Sequence, residues 1–410
     1  MNLQEYAKWA DERDPLRSCR DEFFYPHGKI YFCGNSLGLQ PKKVRRRIDE
    51  ILDDWARLGV EGHVSGERAW KPYHERLTAP LARLVGAKER EVVAMNALTV
   101  NLHLLLTTFY RPTRQRYRVV MEDRPFPSDR YAVASHARMH GFDDAIIHWP
   151  RRSPHEPLRI EDLLELLEEK GSEIAMLLIG GVNYYDGQKY DIPTITDAGR
   201  RVGCVVGWDL AHAIGNIELK LHEWNVDFAV WCSYKYLNGG PGAVAGVFIH
   251  ENRLRDENLP RAEGWWGHDK KTRFKMPPDF VPIRDDENVP TAEAWQLSNP
   301  PILSMAALEP SLELFDQTGM PALLEKQRSL GELMEKALKD IPNIAVITPP
   351  ERGCQFSIAV RDFKIFEKLW AAGVVCDWRE PDVIRVAPVP FYNTHSEIVE
   401  FAKILKASSA

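Results

Sequence analysis

Apolar residues in this chain fall into short unbroken runs, separated by stretches whose apolar positions recur every three to four residues. Runs at 117–121, 174–179, 204–209, 228–231 and 243–249 predict buried strands. The stretches at 160–170, closed by Gly171, and 194–201 predict amphipathic helices. Strand and helix in alternation define an α/β architecture. An open sheet of that kind takes ligands beyond the carboxyl ends of its strands, so the residues just past the apolar runs are the ones to interrogate.

The pattern changes after 264. Residues 264–301 are rich in Pro, Trp and charge and read as a long irregular connection carrying functional loops. Helices at 302–315 and 321–339 then precede strands at 344–347 and 383–386, which suits a small α+β domain. The predicted organisation is an N-terminal segment 1–64 contributing to the small domain and the site entrance, a large domain 65–300, and a small domain 301–410.

Composition narrows the class. With 410 residues, 44% hydrophobic and 27% charged, the chain has the makeup of a large globular core, which excludes disorder and fibre. The net charge of −6 is spread over interspersed signs, so the basic clusters at 42–47 and 111–118 read as solvated faces and no nucleic-acid groove is expected. No signal core opens the chain and no run approaches the roughly 18 apolar residues of a membrane span, so a cytoplasmic protein without a membrane partner is expected. The six cysteines include no Cys-x-x-Cys pair; reduced thiols are expected, with no disulfide frame and no metal site.

The chemistry centres on Lys235, set between Tyr234 and Tyr236 after the run 228–231 and ahead of Gly239, Gly240 and Gly242. An amine against apolar walls loses part of its preference for the charged form, and a neutral amine forms Schiff bases. Asp209 ends another run. Alone it reads equally well as a helix cap, but His212 and Lys235 follow, and a carboxylate, an imidazole and an amine together suit pyridoxal phosphate. The phosphate needs donors. Leu98 and Thr99 open an apolar helix whose amides, with the Thr99 hydroxyl, can hold a dianion, although Thr99 alone is an ordinary cap. Phe126 follows a strand and can stack on a flat heterocycle, although alone it reads as core.

These residues carry a resemblance that runs nearly end to end. Asn35-Ser36-Leu37-Gly38, Leu98-Thr99, Phe126-Pro127-Ser128-Asp129, Trp208-Asp209-Leu210-Ala211-His212, Ser233-Tyr234-Lys235-Tyr236, Gly264-Trp265-Trp266-Gly267-His268, Ser298-Asn299-Pro300-Pro301 and Arg385-Val386-Ala387-Pro388 resemble, in order, the motifs of the kynureninases. These are pyridoxal-phosphate enzymes of the aspartate-aminotransferase fold type, fold type I. The resemblance implies a large domain built on a mostly parallel mixed sheet flanked by helices, and a smaller α+β domain. It implies hydrolysis of L-kynurenine or 3-hydroxy-L-kynurenine to L-alanine and an anthranilate, in tryptophan catabolism or nicotinamide-cofactor synthesis. Lys235 would carry pyridoxal 5'-phosphate as a Schiff base and afterwards remove the substrate's α proton. Asp209 would pair with the pyridine nitrogen and Phe126 would stack on the ring, while Pro127, Ser128 and His212 complete its surroundings and Asp129 has no assigned role. Thr99, the Leu98 backbone and Tyr234 would hold the phosphate, with Tyr234 also an acid or base. Trp265 and Asn299 would come from the neighbouring subunit of a homodimer with shared sites. Arg385 would fork the substrate α-carboxylate, and Arg379 reads as a surface charge.

His63, Ser298 and Asn299 resemble the polar pattern of members that prefer 3-hydroxykynurenine, although His63 alone reads as a loop histidine. Gly180 departs from the pattern, because the family tends to carry a small hydroxyl there. Two other readings compete. A cysteine desulfurase of the same fold would need a reactive thiol late in the chain, where Cys354 and Cys376 stand. A cofactor-binding protein without catalysis would have no use for Arg385.

Overall fold

A computed structural model describes residues 1–409. After the helix Leu3–Arg13, a short strand, β1 (Ile30–Tyr31), leads to the helix Lys43–Leu58. Seven strands then build one sheet: β2 (Val92–Ala94), β3 (Arg118–Glu122), β4 (Ile146–Trp149), β5 (Ile174–Gly180), β6 (Val205–Asp209), β7 (Phe228–Trp231) and β8 (Gly246–Ile249). Their spatial order is β2-β8-β7-β6-β5-β3-β4; β3 through β7 pair in parallel, and β8 runs against both its neighbours. The alternating chain thus folds as a mostly parallel mixed sheet.

The apolar runs of these strands are buried on both faces because helices cover both. In β5, Leu177 and Ile179 enter one hydrophobic core while Met176 and Leu178 enter the other. Val120 and its neighbours Val119 and Met121 in β3 divide the same way. This is the two-residue period of a pleated strand, with each fully buried aliphatic contributing about 1.5–3 kcal/mol.

The C-terminal part carries β9 (Ile344–Val346), β10 (Phe356–Val360), β11 (Val374–Val375), β12 (Asp377–Arg379) and β13 (Val383–Val386). Four of them form an antiparallel sheet ordered β12-β13-β10-β9, and β11 pairs in parallel with β1. The N-terminal segment is thereby stitched to the end of the chain. Ala7 and Phe32 share a core with Leu330, Phe356, Ile384 and Phe401. The helix Ile302–Thr318 instead roots Met305, Leu308 and Leu312 in the core of the large sheet. Core membership changes hands within the helix Met320–Leu338, between Leu323 and Leu330.

The basic clusters are largely solvated as expected, with Lys42, Arg45, Arg46, Arg111 and Arg114 exposed, but one arginine in each departs from that face. Arg47 is only 5% exposed; it pairs with Glu309, with Glu313 at 3.0 Å and with Glu50 at 3.2 Å. Glu309 also accepts from Tyr73 Oη at 2.7 Å and Arg76 Nε at 2.9 Å. Burial alone would raise the Glu309 carboxyl, but the bonds from Tyr73, Arg47 and Arg76 hold it below its ordinary range. In the second cluster, Arg116 donates to the Ile174 and Val202 carbonyls at 3.0 and 2.9 Å. Stretch 264–301 is irregular as expected, with three short 3-10 turns at Trp265–Gly267, Arg273–Lys275 and Ala292–Trp295. All six cysteines are free, and among the described residues no helix is long and apolar enough to cross a membrane.

Candidate active site

The carboxyl ends of three neighbouring parallel strands meet at one cavity. Glu122 closes β3, Gly180 closes β5 and Asp209 closes β6, with Gly180 and Asp209 directly paired. The cavity wall also includes Leu98, Thr99, Phe126, Asp129, Tyr184, His212, Tyr234 and Lys235. Lys235 arrives on the turn after β7. That turn is pinned by the Gly38 amide, which donates to the Tyr234 carbonyl at 2.8 Å. Position 38 has to be glycine, because a Cβ there would overlap the Lys235 carbonyl oxygen and Asn238.

Lys235 Nζ donates to His212 Nε2 at 2.9 Å, and both side chains are buried. Burial, then the charges of Lys235, Arg385 and Arg379, push the His212 imidazole well below its ordinary pKa, so it is neutral and accepts at Nε2. Asp209 Oδ1 accepts from the Ala211 amide at 2.7 Å. Burial and the adjacent Asp209 carboxylate push Asp129 well above the carboxylate range, so Asp129 holds a proton at neutral pH. Tyr234 is raised by burial and by Cys232 beside it, so its phenol is a proton donor at neutral pH. The Lys235 amine lies 5.6 Å from the centre of the Phe126 ring.

The arrangement fits pyridoxal phosphate. The helix Leu98–Phe109 has no side-chain cap, and the amides of Leu98 and Thr99 make no hydrogen bond within the described residues. An uncapped helix start with a hydroxyl at its second position is a dianion site, and Thr99 Oγ1 is fixed 2.8 Å from Ser128 Oγ. Asp129 Oδ1 and His212 Nδ1 are buried without a partner, an acceptor and a nitrogen that await polar groups. Pro127 occupies the first turn of the helix Pro127–Met139, which sets Phe126 and Asp129 at the cavity.

Arg385, on β13, is 1% exposed and lies next to the cavity rather than in its wall. Its Nε donates to Asp377 Oδ1 at 2.7 Å and its Nη2 to Asp377 Oδ2, while Nη1 donates to the Tyr184 carbonyl at 2.5 Å. Of the five N–H groups of a guanidinium, two remain on the Nη1/Nη2 end for a carboxylate. Arg379 keeps a side chain 38% exposed, as a surface charge does, and its Nη2 stands 3.3 Å from Asp377 Oδ2 while its Nε is buried without a partner. Within a single chain His63, Trp265, Ser298 and Asn299 do not reach the cavity. His63 lies edge-on to Trp70, Trp265 donates to the Arg273 carbonyl at 3.0 Å, and Ser298 and Asn299 are exposed.

Sequence reasoning overlooked Glu122 and Tyr184. Tyr184 packs edge-on against Phe126 and links the cavity to Arg385 through its carbonyl. Glu122 ends a buried strand as Asp209 does, and the rule that singled out Asp209 applies to it equally.

The sheet order, the lysine after β7 and the acid at the end of β6 define a pyridoxal-phosphate enzyme of fold type I. Solved structures agree: a lysine-to-alanine mutant of C-DES with glycine covalently linked to the PLP cofactor superposes with a TM-score of 0.79 at 17% identity, covering 94% of this chain and 98% of that one. The Escherichia coli cysteine desulfurase CsdA gives 0.76 at 14% identity, covering 96% and 98%. Sequence fixes the family. The chain is 50% identical to a kynureninase of Christiangramia forsetii over 99% of its own length and 98% of the relative's. It is 50% identical to one from Myxococcus xanthus (98% and 96%) and 46% to one from Nematostella vectensis (99% and 94%). Residues 323–405 match the model of the kynureninase C-terminal domain. The chain belongs to the kynureninase family and is an enzyme, a pyridoxal-phosphate-dependent hydrolase of a carbon–carbon bond.

Proposed function

We propose that this enzyme hydrolyses the Cβ–Cγ bond of 3-hydroxy-L-kynurenine in preference to L-kynurenine, releasing L-alanine and the matching anthranilate, as a cytoplasmic homodimer of tryptophan breakdown or nicotinamide-cofactor synthesis. The observation that supports it most is the convergence, in one cavity of a kynureninase-family chain, of Lys235 on neutral His212, the Asp209–Asp129 pair and the uncapped helix start at Thr99. Lys235 would hold the cofactor's aldehyde end, Asp209 would pair with its ring nitrogen, and Thr99 with the Leu98 amide would hold its phosphate. When bound, the cofactor supplies an electron sink for the bonds broken at the substrate's amino-acid end.

The chain's own residues do the rest. Arg385, braced by Asp377, offers its two remaining N–H groups to the substrate α-carboxylate and so orients the α proton. Lys235 Nζ would take that proton, and His212 Nε2 accepts a hydrogen bond that holds the amine in place. Tyr234, protonated at neutral pH, donates from its hydroxyl. Trp265 and Asn299 complete the site of the partner subunit, which accounts for their distance from the cavity of their own chain. His63, Ser298 and Asn299 favour the ring hydroxyl.

A desulfurase reading finds no support in the thiols. Cys354 and Cys376 are 2% and 1% exposed, and burial pushes Cys354 up to about 12 and Cys376 well above its ordinary value. The test of the substrate reading is kcat/KM for the two substrates side by side. The expected ratio favours 3-hydroxykynurenine by at least about tenfold, the discrimination of one satisfied hydrogen bond. His63→Ala and Asn299→Ala should each shrink that ratio; equal values in the unaltered enzyme would overturn the assignment of the ring-hydroxyl subsite.

A further inference from the structure

At the carboxyl edge of the sheet one position is empty and one acid is unexplained, and the two coincide. Gly180 has no side chain, and a Cβ built there would stand 3.1 Å from Glu122 Oε1. A side chain at 180 would therefore press on the Glu122 carboxyl, which would have to give by a few tenths of an ångström. Its Oε1 accepts from the Gly180 amide at 3.2 Å. Among the described residues its second oxygen has no hydrogen-bond partner, although the side chain is buried and lines the same cavity as Lys235 and Asp209. The backbone at 180 is not left-handed, so flexibility is not what requires glycine there. The side chain that a Cβ there would meet is Glu122.

A buried carboxyl with one oxygen bonded and the other open to a ligand cavity is costly unless the ligand completes it. Burial, with Asp209 and Asp186 near, pushes the Glu122 carboxyl up to about 7. At neutral pH it can therefore both donate and accept.

Resting on the cofactor reading above, we infer that Glu122 is a positioning residue for the cofactor ring, its free oxygen supplying the polar contact at the ring edge that no side chain at position 180 can supply. Glu122 and Gly180 are then one unit, a long side chain from β3 reaching into a niche vacated on β5. Asp209 on β6 and Glu122 on β3 flank Gly180 and hold the ring from two sides.

The unit makes reciprocal predictions. Glu122→Ala should weaken pyridoxal phosphate binding at least about tenfold, equivalent to about 1.4 kcal/mol, measured by release of cofactor on dilution of the holoenzyme. It should also move the visible absorption maximum of the bound cofactor. Glu122→Gln, which keeps a donor and an acceptor, should retain affinity within about threefold. Gly180→Ser alone should weaken binding, because its Cβ crowds Glu122. Combined with Glu122→Ala it should recover part of the lost affinity, because the niche is now free for a hydroxyl. The inference is overturned if Glu122→Ala leaves affinity and spectrum unchanged, whether or not the holoenzyme's Tm falls, or if the double variant is no better than Glu122→Ala. An unaltered enzyme that binds no pyridoxal phosphate would overturn the cofactor reading itself, which separates the two failures.

Discussion

Lys235→Ala should give a folded enzyme that still retains cofactor through Asp209 and Thr99 but turns over at least about a thousandfold more slowly, the combined loss of a covalent tether and a proton acceptor. The chemical signature is sharper than the rate. Borohydride reduction of the unaltered holoenzyme should fix the mass of pyridoxal phosphate on the peptide that contains Lys235, and no fixed mass should appear in the variant. The buried amine held 2.9 Å from His212 Nε2 is placed for that bond, and its cavity contains the acid pair and the helix start that would receive the rest of the cofactor. A fixed mass on another lysine, or turnover that survives the substitution, would displace Lys235 from its role.

The largest stability effect should come from Glu309→Ala, far from the reacting atoms. Glu309 joins three parts of the chain: Arg47 from the helix Lys43–Leu58, Tyr73 and Arg76 from around the start of the helix Glu75–Val85, and its own helix Ile302–Thr318. Removing it leaves the buried Arg47 with only Glu50 and Glu313 and strips the Tyr73 hydroxyl of its acceptor. Breaking one side of a buried ion pair costs about 3–5 kcal/mol, and the two surviving partners of Arg47 place this case near about 3 kcal/mol. Denaturant unfolding measures it. Arg47→Leu combined with Glu309→Leu should lose less than Glu309→Ala, because no buried charge is then left without its counter-ion. A loss below about 1 kcal/mol for Glu309→Ala would mean the network behaves like a surface ion pair.

The parts legible in the sequence were those whose local pattern carries the answer. β7, β13 and the helix Ile160–Lys170 begin and end where the apolar runs place them. The apolar run at 243–249 extends three residues beyond the strand that starts at Gly246, because Ala243, Val244 and Ala245 are buried in irregular backbone ahead of it. β10 escaped notice because Ser357 interrupts its apolar run; that hydroxyl is buried and donates to the Tyr185 carbonyl at 2.6 Å, a partner 172 residues away. Arg47 misled for the same reason, since its counter-ion Glu309 is remote in sequence and a cluster of like charges says nothing about remote partners.

The site shows the same division. Lys235, Asp209, His212, Thr99 and Phe126 were found because each follows a strand or opens a helix, and the structure gathers them in one cavity. Glu122 obeys the same rule but has no neighbouring motif to draw attention to it. Arg379 is as exposed as its short polar strand implies, and the pairing of β12 with β13 also brings it beside Arg385 over a shared Asp377. Trp265 and Asn299 lie apart from the cavity of their own chain, Trp265 bonded to the Arg273 carbonyl and Asn299 exposed.

The central claim is hydrolytic cleavage of a carbon–carbon bond in a kynurenine, and product analysis tests it most directly. Purified holoenzyme incubated with 3-hydroxy-L-kynurenine should release L-alanine and 3-hydroxyanthranilate in equal amounts, with one water consumed for each bond broken. Substrate consumed without alanine, or alanine formed only from cysteine together with transferable sulfur, would contradict it.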